Sequence, residues 1–290
     1  MALCDDVRAA CALVARGARA VSIDTEALGG IEPGPPPALD PRAHLLDGSR
    51  EEVAAYVLTL DTINFGSGWF PTLRKPGGMS GYFTIATALS ERFRAHGPWS
   101  AAELRRLEAT DVARVLGQDE HHELIALYAQ ALRDLGRFLG HRGALDVVEA
   151  AEGSAERLAE ALATGMPFFD DRNYYKRAQI TASDLALAGV ADFDDLHRLT
   201  IFADNVVPHV LRVDGVLSYH TELAERIDRG DLLPPGLDER EIRACAVHAC
   251  ELIAAELGVA PRTLDGWLWN RGREPRYKEL PRHRTRTVFY

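Results

Sequence analysis

Helical periodicity is the feature of this sequence that most constrains its fold. Three times, a cap residue with glutamate three positions on precedes an apolar stripe at helical spacing. Ser49 with Glu52 leads into Val53, Tyr56, Val57 and Leu60, and Ser100 with Glu103 leads into Leu104 and Leu107. Asp238 with Glu241 leads into Ile242, Ala246, Ala249 and Ile253, with a stop near Gly258 and Pro261 beyond. Residues 121–139 carry Leu124, Ile125, Tyr128, Leu132, Leu135 and Leu139 on one stripe, with Arg133, Asp134 and Arg137 off it. Shorter helices are expected at 155–163 and around the amphipathic segment 9–15. Strand signals are sparse: 206–213 is interrupted by Pro208, and 286–290 could pair at a sheet edge. The expectation is a mainly α fold, one compact helical domain over residues 1–290 with at most a minor sheet. The Pro/Gly-rich segment 29–41 reads as a linker or wrapping loop.

The bulk numbers narrow the function. A formal charge of −10 disfavours general binding to a nucleic-acid backbone, which needs Lys and Arg to replace condensed counterions. A local basic patch nevertheless gathers Arg271, Arg273, Arg276, Lys278, Arg282, Arg284 and Arg286. The four cysteines, Cys4, Cys11, Cys245 and Cys250, form no CxxC pair and read as small core residues in a reducing compartment. No apolar run approaches the roughly 20 residues a membrane-spanning helix needs, so neither a membrane nor a nucleic-acid polymer is an expected partner. The cytoplasm is the expected location.

Chemistry is concentrated in four segments. Residues 199–213, LTIFADNVVPHVLRV, set Asp204 in an apolar stretch, where a carboxylate is costly unless paired, hydrogen-bonded or used. Taken alone, Asp204 is most simply a helix N-cap. Residues 60–71, LDTINFGSGWFP, place Asp61 and Asn64 at a helix exit beside Phe65 and Trp69. Aromatics there can stack on a planar heterocycle while Asp and Asn bond its edge, although a helix end with aromatic core plugs has the same pattern. Residues 168–184 put Lys176 and Asp184 on one helix face, the ordinary meaning of which is a weak surface pair, with the apolar flanks arguing for partial burial. Finally, Asp265 and Trp269 in DGWLW precede PRHRTRTVFY, whose His283, Arg284 and Arg286 make a candidate phosphate grip. Phosphate-loop, dinucleotide and zinc-protease signatures are all absent; the run from Asp119 to Glu123 breaks the zinc pattern at Ala126. No GxSxG elbow or convincing cysteine nucleophile occurs.

In combination, LDTINFGSGW, YYKRAQITASDL, LTIFADNVVPHVL, EREIRACAVHACELI and LPRHRTRTVFY resemble the queuosine-salvage family of queuosine 5′-phosphate N-glycosylases, in the family's order, from about Asp61 to Tyr290. This chain has FADNVVPH where relatives often carry FADYRVPQ, so Asn205 and His209 are departures. The resemblance implies a fold similar to helical DNA glycosylases. It also implies hydrolysis of queuosine 5′-monophosphate to queuine and ribose 5-phosphate, for queuine salvage toward tRNA modification, with no metal or other cofactor. On that reading Asp204 is the catalytic carboxylate, and Lys176 orients it or holds phosphate. Asp61, Asn64, Phe65, Trp69, Asn205, His209, Asp265 and Trp269 are candidates for the base, and His283, Arg284 and Arg286 for the phosphate. Two rival readings remain: a DNA-repair glycosylase of similar fold, weakened by the acidic charge, and a non-catalytic nucleotide-binding protein.

Overall fold

Capping boxes decide where several helices begin. In the computed structural model, which describes residues 2–290, Ser49 accepts from the Glu52 amide while the Glu52 carboxylate accepts from the Ser49 amide at 2.9 Å, opening α2. The chain runs α1 (Leu3–Gly17), β1 (Val21–Ile23), α2 (Arg50–Thr62), α3 (Gly81–His96), α4 (Ala101–Leu104), α5 (Ala109–Leu116), α6 (Glu123–Leu139) and α7 (Ala144–Glu149). It continues with α8 (Ala155–Gly165), α9 (Lys176–Leu187), α10 (Val207–Val213), β2 (Leu217–Tyr219), α11 (Thr221–Asp228), α12 (Leu237–Leu257) and α13 (Pro261–Arg271). The fold is mainly α, and the one sheet among the described residues is the antiparallel pair β1–β2, with Ser22 opposite Ser218.

Two expectations need correction. Residues 206–213 are no interrupted strand: Pro208 falls in the first turn of α10, where its missing N–H costs no hydrogen bond. Among the described residues, 286–290 join no sheet; an isolated bridge pairs Arg284, just before that segment, with Leu232. The Ser100 capping box opens only the four residues of α4. That short helix lies against α6 at Gly136, where a side chain would meet Ala101 and Leu104 at 2.8 Å. By contrast α12 ends as expected, on Gly258 in the left-handed region at φ 65°, with Pro261 starting α13.

Apolar side chains bury in two clusters. One gathers α2 to α9, with Tyr56, Tyr128 and Leu132 inaccessible; the other gathers α1, α10 to α13 and the β-pair around Val210, Ile242 and Ile253. All four cysteines are free and buried, as core residues should be. The loop 29–41 wraps across α13: Gly34 lies against Trp267, and Pro37 lies so close to Gly266 that a Cβ there would come within 2.7 Å. No single helix among the described residues is long and apolar enough to cross a membrane.

Candidate active site

A cavity of about 1230 Å³ opens where the end of α2, the faces of α3, α9 and α13, the wrapping loop and residues 278–290 converge. A smaller one of about 230 Å³, beside Asp47, Glu52 and Arg94, has no comparable convergence of buried charge.

Asp204 lies in this wall, in an extended segment clamped from three sides. Gln179 of α9 accepts from the Thr200 amide at 2.9 Å, Asp265 of α13 accepts from the Phe202 amide at 2.8 Å, and Arg243 of α12 donates to the Ala203 carbonyl at 2.9 Å. At the end of this segment, Asp204 Oδ1 accepts from the Val206 and Val207 amides at 2.6 and 3.1 Å. Asp204 is not the N-cap of α10, which is Val206 without a side-chain cap. One Asp204 oxygen holds the two amides ahead of the helix, while the residue itself faces the cavity.

Lys176 occupies the first residue of α9, after Tyr175 turns the chain through a left-handed φ of 48°. For a non-glycine residue that conformation is strained, and it is held by Asp171, whose carbonyl accepts from the Tyr175 amide at 2.7 Å. Burial pulls the Lys176 ammonium below its ordinary pKa, and the negative charge of Asp204 is the largest opposing influence. Asp265 responds the other way: burial, then the nearby Asp204 charge, push its carboxyl up to about 7. Burial likewise raises Asp61 to about 7, restrained by a 3.4 Å hydrogen bond from Asn64 Nδ2 and by Lys176. The wall thus holds one buried ammonium among several carboxyl groups, with pKa values spread in the manner typical of catalytic clefts.

Of the residues singled out in the sequence, Asn64, Phe65, Lys176, Asp204, Asn205, Asp265, Trp269 and Arg284 line this cavity. Asp61 sits directly behind Asn64 with no solvent exposure. Phe65 is almost wholly buried, its ring packed on Tyr128 at 5.0 Å and under the Arg177 guanidinium at 4.7 Å. Besides Asp61, four residues lie outside the lining. Trp69 donates its indole N–H to Glu123 at 2.7 Å, and Arg286 pairs with the same carboxylate at 3.2 Å. His209 contacts the Tyr277 carbonyl through Nε2 at 2.7 Å. His283 is buried, and that burial, helped by Arg243 and His209, drops its pKa to about 3, so it is a neutral ring rather than a cationic phosphate ligand.

The cavity also contains groups given no role in the sequence reading. Tyr82, held by His44 Nε2 at 2.8 Å, stands edge-on to Trp269 at 5.9 Å, and Arg273 lies over Phe83 at 4.8 Å. Arg282 and Lys278 join Arg284, and Asp204 is the negative charge acting on Arg282. Arg177, fully buried, donates to the carbonyls of Thr62 at 2.7 Å and Val288 at 2.8 Å and also to that of Phe168, so it ties residues 286–290 to the end of α2. Gly68 lets this tail approach: a Cβ there would come within 2.4 Å of the Thr285 carbonyl oxygen. Only a run of conspicuous arginines in apolar context hinted at these anchors, since their partners are distant in sequence.

A helical protein with an aromatic-walled cavity, basic groups at one part and a clamped carboxylate beside a buried lysine belongs to the class that grips and processes small nucleotide-like molecules. The comparisons make this particular. Residues 44–290 match the family model described as queuosine salvage protein, and the chain belongs to that family. It is 34% identical to a queuosine 5′-phosphate N-glycosylase/hydrolase of Sphaerobacter thermophilus, over 96% of this chain and 95% of the relative. Proteins of the same description from Dictyostelium discoideum and Bos taurus are 31% and 29% identical, over 83% and 84% of this chain and 79% and 83% of theirs.

Proposed function

We propose that this protein hydrolyses the N-glycosidic bond of queuosine 5′-monophosphate, releasing queuine and ribose 5-phosphate. The observation that carries the reading is Asp204, a carboxylate clamped in the cavity wall next to buried Lys176, in a chain whose relatives bear that activity in their descriptions. Cleavage of a glycosidic bond builds positive charge on the anomeric carbon and ring oxygen. Asp204 stabilises that charge with the oxygen that does not hold the Val206 and Val207 amides, and then either bonds briefly to the sugar or takes a proton from the attacking water. Lys176 sets a buried positive charge beside Asp204.

The departing base needs a proton or hydrogen bonds as the bond breaks, and a 7-deazapurine has carbon where guanine offers N7. Asp265, with a pKa of about 7, keeps a protonated fraction at neutral pH and serves as the donor, while Asn64, supported by Asp61, bonds the base edge. In the net reaction water contributes hydroxyl to the anomeric carbon and a proton to the ring nitrogen it leaves. Trp269 and Tyr82 provide the apolar wall for the ring, and Arg282, Arg284 and Lys278 the cationic end for the phosphate.

The test is to incubate the purified protein with queuosine 5′-monophosphate and separate the products by chromatography. Queuine and ribose 5-phosphate should appear in equal amounts. Folded protein that releases no base from this nucleotide, or that cleaves duplex DNA instead, overturns the reading.

A further inference from the structure

The cavity holds more carboxylate than glycosidic cleavage uses. Asp204 and Asp265 each commit an oxygen to backbone amides, at 2.6 and 2.8 Å, and Asp61 is closed off behind Asn64. Asp184 differs from all three. It lines the cavity, yet its carboxyl makes no hydrogen bond to the described residues and no ion pair. Arg262 beside it donates to Ser183 Oγ at 3.3 Å instead. Burial and the neighbouring negative charges of Asp61 and Asp265 raise the Asp184 pKa well above the usual range, and Lys176 and Arg262 only partly offset them. Holding a carboxylate there without a partner is costly, and an arriving cation removes the cost.

Its place along α9 says which part of a ligand it meets. Lys176, Ile180, Ser183, Asp184 and Leu187 share the face that lines the cavity. Eight residues of helix separate Lys176 from Asp184, about 12 Å of rise. The basic groups Arg282 and Arg284 come from residues 278–290, whereas Asp184 lies two turns along α9 from Lys176, with Arg262 of α13 next to it at Ser183. A nucleotide whose sugar sits at Asp204 and whose phosphate meets Arg282 therefore extends its base toward Asp184, past Tyr82 and Trp269. Those rings are suited to a desolvated cation as well as to a heterocycle.

We propose that Asp184 is a specificity residue that receives the protonated secondary amine on the C7 substituent of the base, so that the site prefers a 7-deazaguanine with a cationic side chain to one without. This rests on the function proposed above, and it assigns Asp184 a partner that neither cleavage nor phosphate binding supplies.

Calorimetric titration of the full-length protein with two free bases, queuine and unsubstituted 7-deazaguanine, tests it independently of turnover. The wild type should bind queuine more tightly, and Asp184→Asn should cut that preference about tenfold or more, as expected for losing a charge-assisted hydrogen bond. Asp184→Glu, which keeps the charge, should recover part of it. An unchanged preference in a folded Asp184→Asn protein overturns the proposal, and so does a wild type that binds both bases alike. Should Asp184→Asn melt early, Asp184→Ser is read by the same ratio. A wild type that shows the preference but does not hydrolyse queuosine 5′-monophosphate overturns the function and not the recognition.

Discussion

Two groups of buried charge meet near Asp204 and are built on opposite terms. Around Arg243, the charges are paired: Asp171 accepts from the guanidinium at 2.6 and 3.1 Å, the Ala203 carbonyl at 2.9 Å and Glu239 at 3.4 Å. Tyr174 and Tyr290 cover the guanidinium at 3.9 and 4.7 Å. Around Lys176, by contrast, no ion pair closer than 4.0 Å joins the ammonium to Asp204, Asp184 or Asp265 among the described residues. The contrast teaches where function resides. A buried charge that is fully paired holds backbone in place, and one left short of partners is available to a ligand.

Breaking the unpaired group should cost activity with little stability. Asp204→Asn is expected to lower base release on the order of a thousandfold, in the range for removing a central acid–base group. The asparagine oxygen still accepts from the Val206 and Val207 amides, so unfolding free energy should move by less than about 1 kcal/mol. Retained turnover would remove Asp204 from the chemistry. The paired group should behave in reverse. Arg243→Ala leaves Asp171 buried without its partner and should destabilise the fold by about 3–5 kcal/mol in urea titration. A loss below about 1 kcal/mol would show that the two groups do not differ as described.

Asp265 lies between these extremes, and pH separates its roles. Its carboxyl is raised from 3.8 to about 7, so its favourable contribution is complete below about pH 4 and is lost as pH rises through about 7. Asp265→Asn should therefore be more stable than the wild type at pH 8, on the order of 2 kcal/mol, with the difference vanishing near pH 4. Asparagine still accepts from the Phe202 amide, so the clamp persists. In the wild type kcat should fall above about pH 7 as the donor loses its proton, and that limb should be missing in the variant. A smaller effect is expected at the basic end. Arg284→Ala should weaken queuosine 5′-monophosphate about tenfold more than unphosphorylated queuosine, measured as kcat/KM, the loss of one charge-assisted contact. Equal losses would place the phosphate elsewhere.

Local signals were readable and distant ones were not. Ser49, Glu52, Gly258 and Pro261 mark helix ends within a few residues of one another, and α2 and α12 begin or end as those signals require. Pro208 misleads because a proline in the first turn and a proline that breaks a strand look alike until the preceding turn is known. Asp204 stands out in the sequence because its neighbours are apolar. Its clamps do not: Gln179, Arg243 and Asp265 lie 21, 40 and 63 residues from the backbone groups they hold and look like ordinary polar residues of helices. Asp184 shares a face with Lys176 by spacing alone, but only the packing of α3 and α13 over that face turns a surface pair into a cavity wall. His283 fails for the complementary reason. Its basic neighbours suggest a solvated grip, whereas the tail folds inward and desolvation leaves the ring neutral.

Trp69 gives the sharpest small test of this division. It sits four residues after Phe65 in the same aromatic segment, and sequence alone makes both candidates for stacking on a base. Its indole instead faces away from the cavity, donating to Glu123 at 2.7 Å, with Arg286 above the ring at 5.7 Å and paired to the same carboxylate. Glu123 is the first residue of α6, so the pair fastens the tail to a helix start rather than to a ligand. Trp69→Phe keeps the apolar ring and removes only the donor, which should cost about 1 kcal/mol of unfolding free energy. Neither KM nor kcat for queuosine 5′-monophosphate should change by more than about twofold, the variation expected when no binding contact is lost. Trp269→Phe, on the cavity face, should raise KM by a larger factor. If instead Trp69→Phe raised KM as much as Trp269→Phe, the tail and α6 would have to be counted as part of the site.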